Sequence, residues 1–303
     1  MPYLQLDSRR LFLLFSLGLA LASIPVLLVL TGLRGELLSS LKVVGGALVI
    51  VTSTRVNVLL LASIVLLFLP YAVVDSLNRL YVARITQVLP HFFKSLAEAV
   101  RSGLTFHGAL RSVTETMPGS LSAEVKRALV HVELGEPLGQ ALRRIPERIR
   151  DANVEKAVTI LITANESGGR VIDVLESAAE IFAALRSYDE EKSTTINPHV
   201  ITVYASTIIY LVLALTILYV FVIPLGAIQR TGGFFGALDP RLYETIMLYS
   251  GAMTAFSGGL IAGKLKHGRA SAGLIHSALQ LSIVSAGFLL AEAYLTPLTL
   301  MKP

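Results

Sequence analysis

Two residue types are missing from this chain, and a third class is scarce. Cysteine is absent, which excludes disulfides, zinc thiolate sites and thiol nucleophiles. Tryptophan is absent as well, so any aromatic belt at a membrane interface must be built from tyrosine, with Tyr71, Tyr204, Tyr210, Tyr219, Tyr249 and Tyr294 available. Charged residues make up 16% of the 303 positions, against 53% hydrophobic. The resulting mean hydropathy of +0.67 lies outside the soluble range and specifies an integral membrane protein.

The signatures of catalysis and cofactor binding are missing too. The six histidines, His91, His107, His131, His199, His267 and His276, form no i, i+4 pair, and metal ligation needs three or four converging ligands. No Gly-x-Ser-x-Gly elbow occurs. Gly258 to Lys264 matches the first seven positions of a phosphate-binding loop, but Leu265 stands where a hydroxyl would hold magnesium and no strand precedes it. Lying in an apolar run, this lysine reads as an interfacial anchor instead. The expectation is a protein that is not an enzyme and has no catalytic, cofactor-binding or metal-binding residues.

What is present is a set of apolar runs flanking a polar centre. Leu11 to Leu30 comes after Arg9 and Arg10 and is 20 residues long, enough to cross a bilayer and longer than a signal h-region, so it reads as an uncleaved anchor. Val56 to Val74 carries no charge, nor does Val200 to Leu225, while Tyr243 to Gly263 and Leu274 to Leu295 carry one acid each, Glu244 and Glu292. These runs predict five transmembrane helices. Residues 37–55 leave a sixth open: Val43 to Val51 is too short to span unless Leu37 to Leu41 join it, and an amphipathic or re-entrant piece fits it equally. The division expected is a membrane region at 1–78, a polar domain at 79–198 and a second membrane region at 199–303.

Sidedness is set by charge. The formal net charge is +5, yet from Asp75 to Asn197 the balance is 15 basic to 16 acidic residues. The basic excess therefore flanks the membrane and reads as topology rather than nucleic-acid binding. The tight loop Lys264 to Arg269 is expected to be cytoplasmic, and counting back through two spans puts the polar domain on the same side. With two spans ahead of the domain the N-terminus is cytoplasmic; with three it is outside. Two is the preferred count.

Within the polar domain a local pattern comes round three times. Gly103 is followed at plus six and plus seven by Ala109 and Leu110, Gly135 by Ala141 and Leu142, and Gly168 by Val174 and Leu175. Each glycine closes one run of helical apolar spacing and precedes another, the pattern of helix, left-handed glycine turn, helix. Helices are expected at about 90–102, 105–116, 121–134, 138–149, 153–166 and 170–191, with Pro90 in the first turn of the first. They form an all-α six-helix bundle. Arg143, Arg144, Arg148 and Arg150 gather at the end of the fourth helix, where cations suit the helix dipole and also make a docking patch for an acidic partner. Asp189, Glu190 and Glu191 form an acidic counterpart. Glu166 with Gly168 and Gly169 makes a polar tip with more glycine than a helix stop needs, hence a candidate contact surface.

Three linked blocks carry a family resemblance: Pro90 with Ser95 to Leu110, Leu134 to Leu142, and Ala164 to Leu175. Over about 85–225 the chain resembles the type II secretion system F family, the inner-membrane platform proteins of type II secretion, type IV pili, tight-adherence pili and the archaeal flagellum (archaellum). The Asn-Glu-Ser-Gly-Gly form resembles the archaeal and tight-adherence branches. The resemblance implies a non-enzymatic scaffold in the cell membrane that couples a hexameric secretion ATPase to insertion of pilin-like subunits into a filament, with membrane lipids around its spans. Classical members carry two cytoplasmic domains and this chain one, which implies a homodimer or a heterodimer with a second platform subunit. Two other readings compete. A membrane transporter or channel draws on Glu292 but lacks paired broken helices, and a helical-repeat adaptor draws on the 32 to 33 residue period but lacks the aromatic signature of such repeats.

Overall fold

The computed structural model describes residues 3–5, 7–44, 48–229 and 239–300. It is an all-α membrane protein with five helices long and apolar enough to cross a bilayer. The chain divides into two compact units, one of Met1–Leu6 with Asp75–Thr194 and one of Asp7–Val74 with Thr195–Pro303.

In chain order the elements begin with α1 (Ser8–Thr31) and α2 (Arg34–Ser40), then strands β1 (Leu41–Val44) and β2 (Leu48–Val51). Next come α3 (Thr54–Arg101), α4 (Phe106–Thr116), α5 (Ser120–Glu133), α6 (Leu138–Arg148), α7 (Ala152–Glu166) and α8 (Val171–Thr216). Beyond a π-helical stretch at Ile217–Val222 lie α9 (Ile223–Gln229), α10 (Pro240–His267) and α11 (Leu274–Leu300).

One open reading is resolved and two expectations are corrected. Among the described residues of 37–55 no sixth transmembrane helix forms: α2 stops at Ser40, and Lys42 then pairs with Ile50 and Val43 with Val49 in antiparallel strands, in keeping with the β-branched content of that stretch. Pro90 is not at a helix start but deep inside α3, which runs unbroken from the second span into the polar unit. A proline there forfeits one main-chain hydrogen bond, yet Leu89, Phe92, Phe93 and Leu96 on its flanks are all essentially fully buried, and that packing holds the helix together. The helix expected at 170–191 and the span expected from Val200 are likewise one helix, α8, with Pro198 inside it.

The π turn has a local cause as well. Pro224 has no amide hydrogen and its ring crowds the carbonyl four residues back; the wider turn moves that carbonyl aside, with the Ile223 amide donating five residues back to Leu218.

The polar unit is built from the second half of α3, from α4 to α7 and from the first half of α8. Its core joins Phe92, Phe93, Leu110, Val125, Leu142, Ile149, Leu161 and Leu175. Phe93 stacks on Phe182 with centroids 5.4 Å apart, and Phe92 meets Phe93 edge-on; large buried side chains of this kind each stabilise the fold by roughly 1.5–3 kcal/mol. Residues 3–5 belong to this unit: Tyr3 lies 6.0 Å from Tyr81, and Leu4 makes a two-way bond with Asn78, its amide donating to Oδ1 at 3.0 Å and its carbonyl accepting from Nδ2 at 2.7 Å.

The membrane unit closes on small residues. A Cβ on Gly259 would fall inside the main chain of Ser277, and one on Gly263 inside that of Gly273. The glycines of the phosphate-loop look-alike are thus the close-packing surface of α10 against the start of α11, as small residues are in membrane helix pairs. At the end of this unit away from the α10–α11 turn, Glu292 meets Arg55 at 3.7 Å and Glu244 accepts from Thr54 at 2.7 Å. Both acids of the spans are therefore partnered where α3 begins.

Candidate interaction face

The three glycine turns lie at one end of the polar unit, because short turns reverse the chain between successive helices. Gly103 and Gly135 have φ of +95° and +97°. The Gly103 amide donates to Val100 at 2.9 Å and the Leu104 amide to Ala99 at 3.3 Å; the Gly135 amide donates to Val132 at 2.9 Å and the Glu136 amide to His131 at 3.1 Å. Both sets are Schellman motifs, in which a left-handed glycine lets the chain satisfy the last helical carbonyls. Gly168 differs: its φ is +59° and the chain continues as a 3-10 turn, Gly168–Arg170.

The residues six and seven places beyond each glycine account for the recurrence. Ala109, Leu110, Ala141, Leu142 and Leu175 are wholly buried, and Val174 packs against the same core. These positions fall in the opening turns of the new helix and point it inward. Thr105 caps α4 by accepting from the Gly108 amide at 3.2 Å, and Asp151 caps α7 through the amides of Asn153 and Val154, each side chain satisfying donors that a helix start leaves orphaned.

The outer surface of this end carries Leu104 and Leu134, the latter 79% exposed, beside exposed Glu166, Gly168 and Gly169. At Gly169 the backbone is not left-handed, and an added Cβ would meet nothing within 4 Å. Neither conformation nor space demands a glycine there.

The four arginines separate into two kinds. Arg143 and Arg150 are exposed and make no ion pair among the described residues. Arg144 meets Glu136 at 3.0 Å, where His131 also approaches at 3.5 Å. Arg148 turns inward to Glu124, donating to its Oε1 at 3.0 Å. The Glu124 side chain is only 3% exposed; Arg127 donates to its Oε2 at 3.0 Å, and the Tyr81 hydroxyl donates to Oε1 beside Arg148. A buried carboxylate needs such partners, since its desolvation otherwise costs several kcal/mol. Of the acidic counterpart, Asp189, Glu190 and Glu191 sit on an exposed stretch of α8, with Arg186 bonded to Glu190 at 2.8 Å.

Glu124 does not stand out among the charges of the sequence, although a signal exists. It lies three residues after Leu121 and four before Ala128, on the buried stripe of α5, where a carboxylate is out of place unless it is paired. Among the described residues no three histidine or acidic side chains converge on a metal-sized site. The unit thus carries apolar tips and a glycine turn at one end and the exposed cations Arg143 and Arg150 along α6 and its far end.

Residues 92–220 match the family described as type II secretion system (T2SS), protein F. No curated protein and no solved structure matches the chain. The matched stretch begins at the buried Phe92, takes in all three glycine turns with their buried pairs, and ends at Val220 inside the span that succeeds the polar unit. With five apolar helices around that stretch, the chain is a multi-pass membrane protein that carries a domain of the type II secretion system F family.

Proposed function

We propose that this protein is the non-enzymatic platform of a type IV pilus-like, archaellum or type II secretion machine in the cytoplasmic membrane. Its domain at 79–198, between membrane regions at 1–78 and 199–303, faces the cytoplasm and engages a hexameric secretion ATPase. The spans receive pilin-like subunits, and a homodimer or a heterodimer with a second platform subunit supplies the second cytoplasmic domain. The observation that carries this reading is the family match across the three glycine turns. The form of its third block points to the archaeal or tight-adherence branch. Glu292, the residue that suggested transport, has Arg55 as an ion-pair partner, which weakens that alternative.

On this reading the ATPase meets the exposed cations and the glycine tip. Arg143 and Arg150 are the residues to reverse, with Arg144 as a third, because Arg148 is occupied by Glu124. Co-purification in detergent with the candidate ATPase is expected for the wild type and lost in R143E/R144E/R150E. A wild type that retains no ATPase at low salt sinks the proposal. A triple variant that retains it relocates the docking face to Glu166, Gly168 and Gly169.

A further inference from the structure

Inside the membrane unit a cleft of about 300 Å³ is lined by Leu14 and Phe15 of α1, Leu67, Phe68 and Tyr71 of α3, and Leu274 at the start of α11. One turn along α1, Gly18 lies against the Leu67 carbonyl so closely that a Cβ would overlap it, so α1 and α3 meet at the main chain beside the cleft. The volume falls at the lower end of the range for ligand sites, and the lining is apolar except for the Tyr71 hydroxyl.

The cleft is bordered by cations. Arg9 and Arg10 open α1, Arg10 one helical turn or about 6 Å before Leu14. Arg269 precedes Leu274 by five residues across the 3-10 turn Ala270–Gly273, with Lys264 and Lys266 just beyond it. All five are exposed, and none has an ion-pair partner among the described residues. Counting five spans puts the start of α1, the end of the apolar part of α3 and the α10–α11 turn on one side of the bilayer. Apolar walls at hydrocarbon depth with positive charge at the headgroup level match one class of molecule.

We propose that this cleft is a binding site for one anionic phospholipid, its hydrocarbon chain between α1, α3 and α11 and its phosphate held by Arg9, Arg10 and Arg269. Scattered basic residues at a membrane surface attract anionic lipid without stoichiometry. A chain seated in the cleft adds a fixed register and a single copy.

The test is native mass spectrometry of the full-length protein in detergent, titrated with phosphatidylglycerol or with phosphatidylcholine of the same chains. Retention of a single phosphatidylglycerol is expected, with weaker retention of phosphatidylcholine. R9Q/R10Q/R269Q should abolish that preference, by roughly fivefold for each arginine lost. Leu14→Trp, which fills the cleft, should abolish retention of both lipids, while Leu274→Met, which keeps its volume, should bind as the wild type does. Equal retention of the two lipids overturns the proposal. So does a preference that survives Leu14→Trp in a variant of unchanged helicity, because the charge is then acting without the cleft. A wild type found dimeric that becomes monomeric on filling would show the cleft to be covered by a second copy, and would overturn it too.

Discussion

Glu124 is where the polar unit is most exposed to single-residue damage. Its carboxylate is almost fully buried and is shared by Tyr81, Arg127 and Arg148. Replacing it with alanine strands two guanidinium groups and a hydroxyl. Because both arginines remain partly exposed and recover some hydration, the expected cost is about 2–3 kcal/mol, below that of breaking a wholly buried pair. Arg148→Ala should cost about 1 kcal/mol, and the double variant less than the sum; thermal unfolding of the four proteins checks this. The glycines separate fold from contact. Gly103→Ala and Gly135→Ala should each cost about 1 kcal/mol, from the left-handed backbone alone. Gly169→Ala, with open space and ordinary backbone, should stay within about 0.5 kcal/mol. If Gly169 belongs to the docking face, its alanine variant lowers ATPase retention at unchanged unfolding temperature.

At the scale of elements, the hairpin β1–β2 is the piece most sensitive to acid. Lys42 on β1 is ion-paired with Asp239, which also caps α10 through the Arg241 amide. Burial pushes the Asp239 carboxyl up, but the hydrogen bond and charge of Lys42 and the amides of Arg241 and Leu242 outweigh it and hold the group below its ordinary value. A depressed carboxyl stabilises the fold fully above its unfolded pKa of about 3.9 and loses that contribution as pH falls through the lower folded value. The hairpin should therefore be unchanged between pH 7 and 5 and loosen only below about pH 4. With no native cysteine to interfere, a nitroxide on Val43→Cys reports this directly. Lys42→Ala should give the loose spectrum at neutral pH, and equal mobility at all pH values would refute the clasp.

The whole molecule has a topology that can be read by labelling. Counting spans puts Ser102 of the polar unit and Lys266 of the α10–α11 turn on one side of the membrane and Ser39 on the other. Single cysteines at these positions should react with an impermeant maleimide in that grouping. Labelling of Ser102→Cys and Lys266→Cys from opposite sides would contradict five spans and, with them, the cation rim of the lipid cleft.

Hydropathy is local, so the chain by itself determined its class and the five helices, among the described residues, that are long and apolar enough to cross a membrane. An uncharged run of 19 residues has few fates other than a bilayer or a core, and no distant partner is needed to see it. Where helices merge rather than stop was not legible at Pro90 and Pro198, since proline's local preference was overridden by packing and continuity that only the assembled molecule supplies. Residues 41–44 and 48–51 became paired strands because the partner of each strand is the other, a pairing that apolar content does not announce. The candidate face divides in the same way: the arginines are visible as charges in the sequence, but charge says nothing of who neutralises it. Only tertiary structure set Arg148 against a buried carboxylate 24 residues earlier and left Arg143 and Arg150 outward, because a contact is a property of two places brought together.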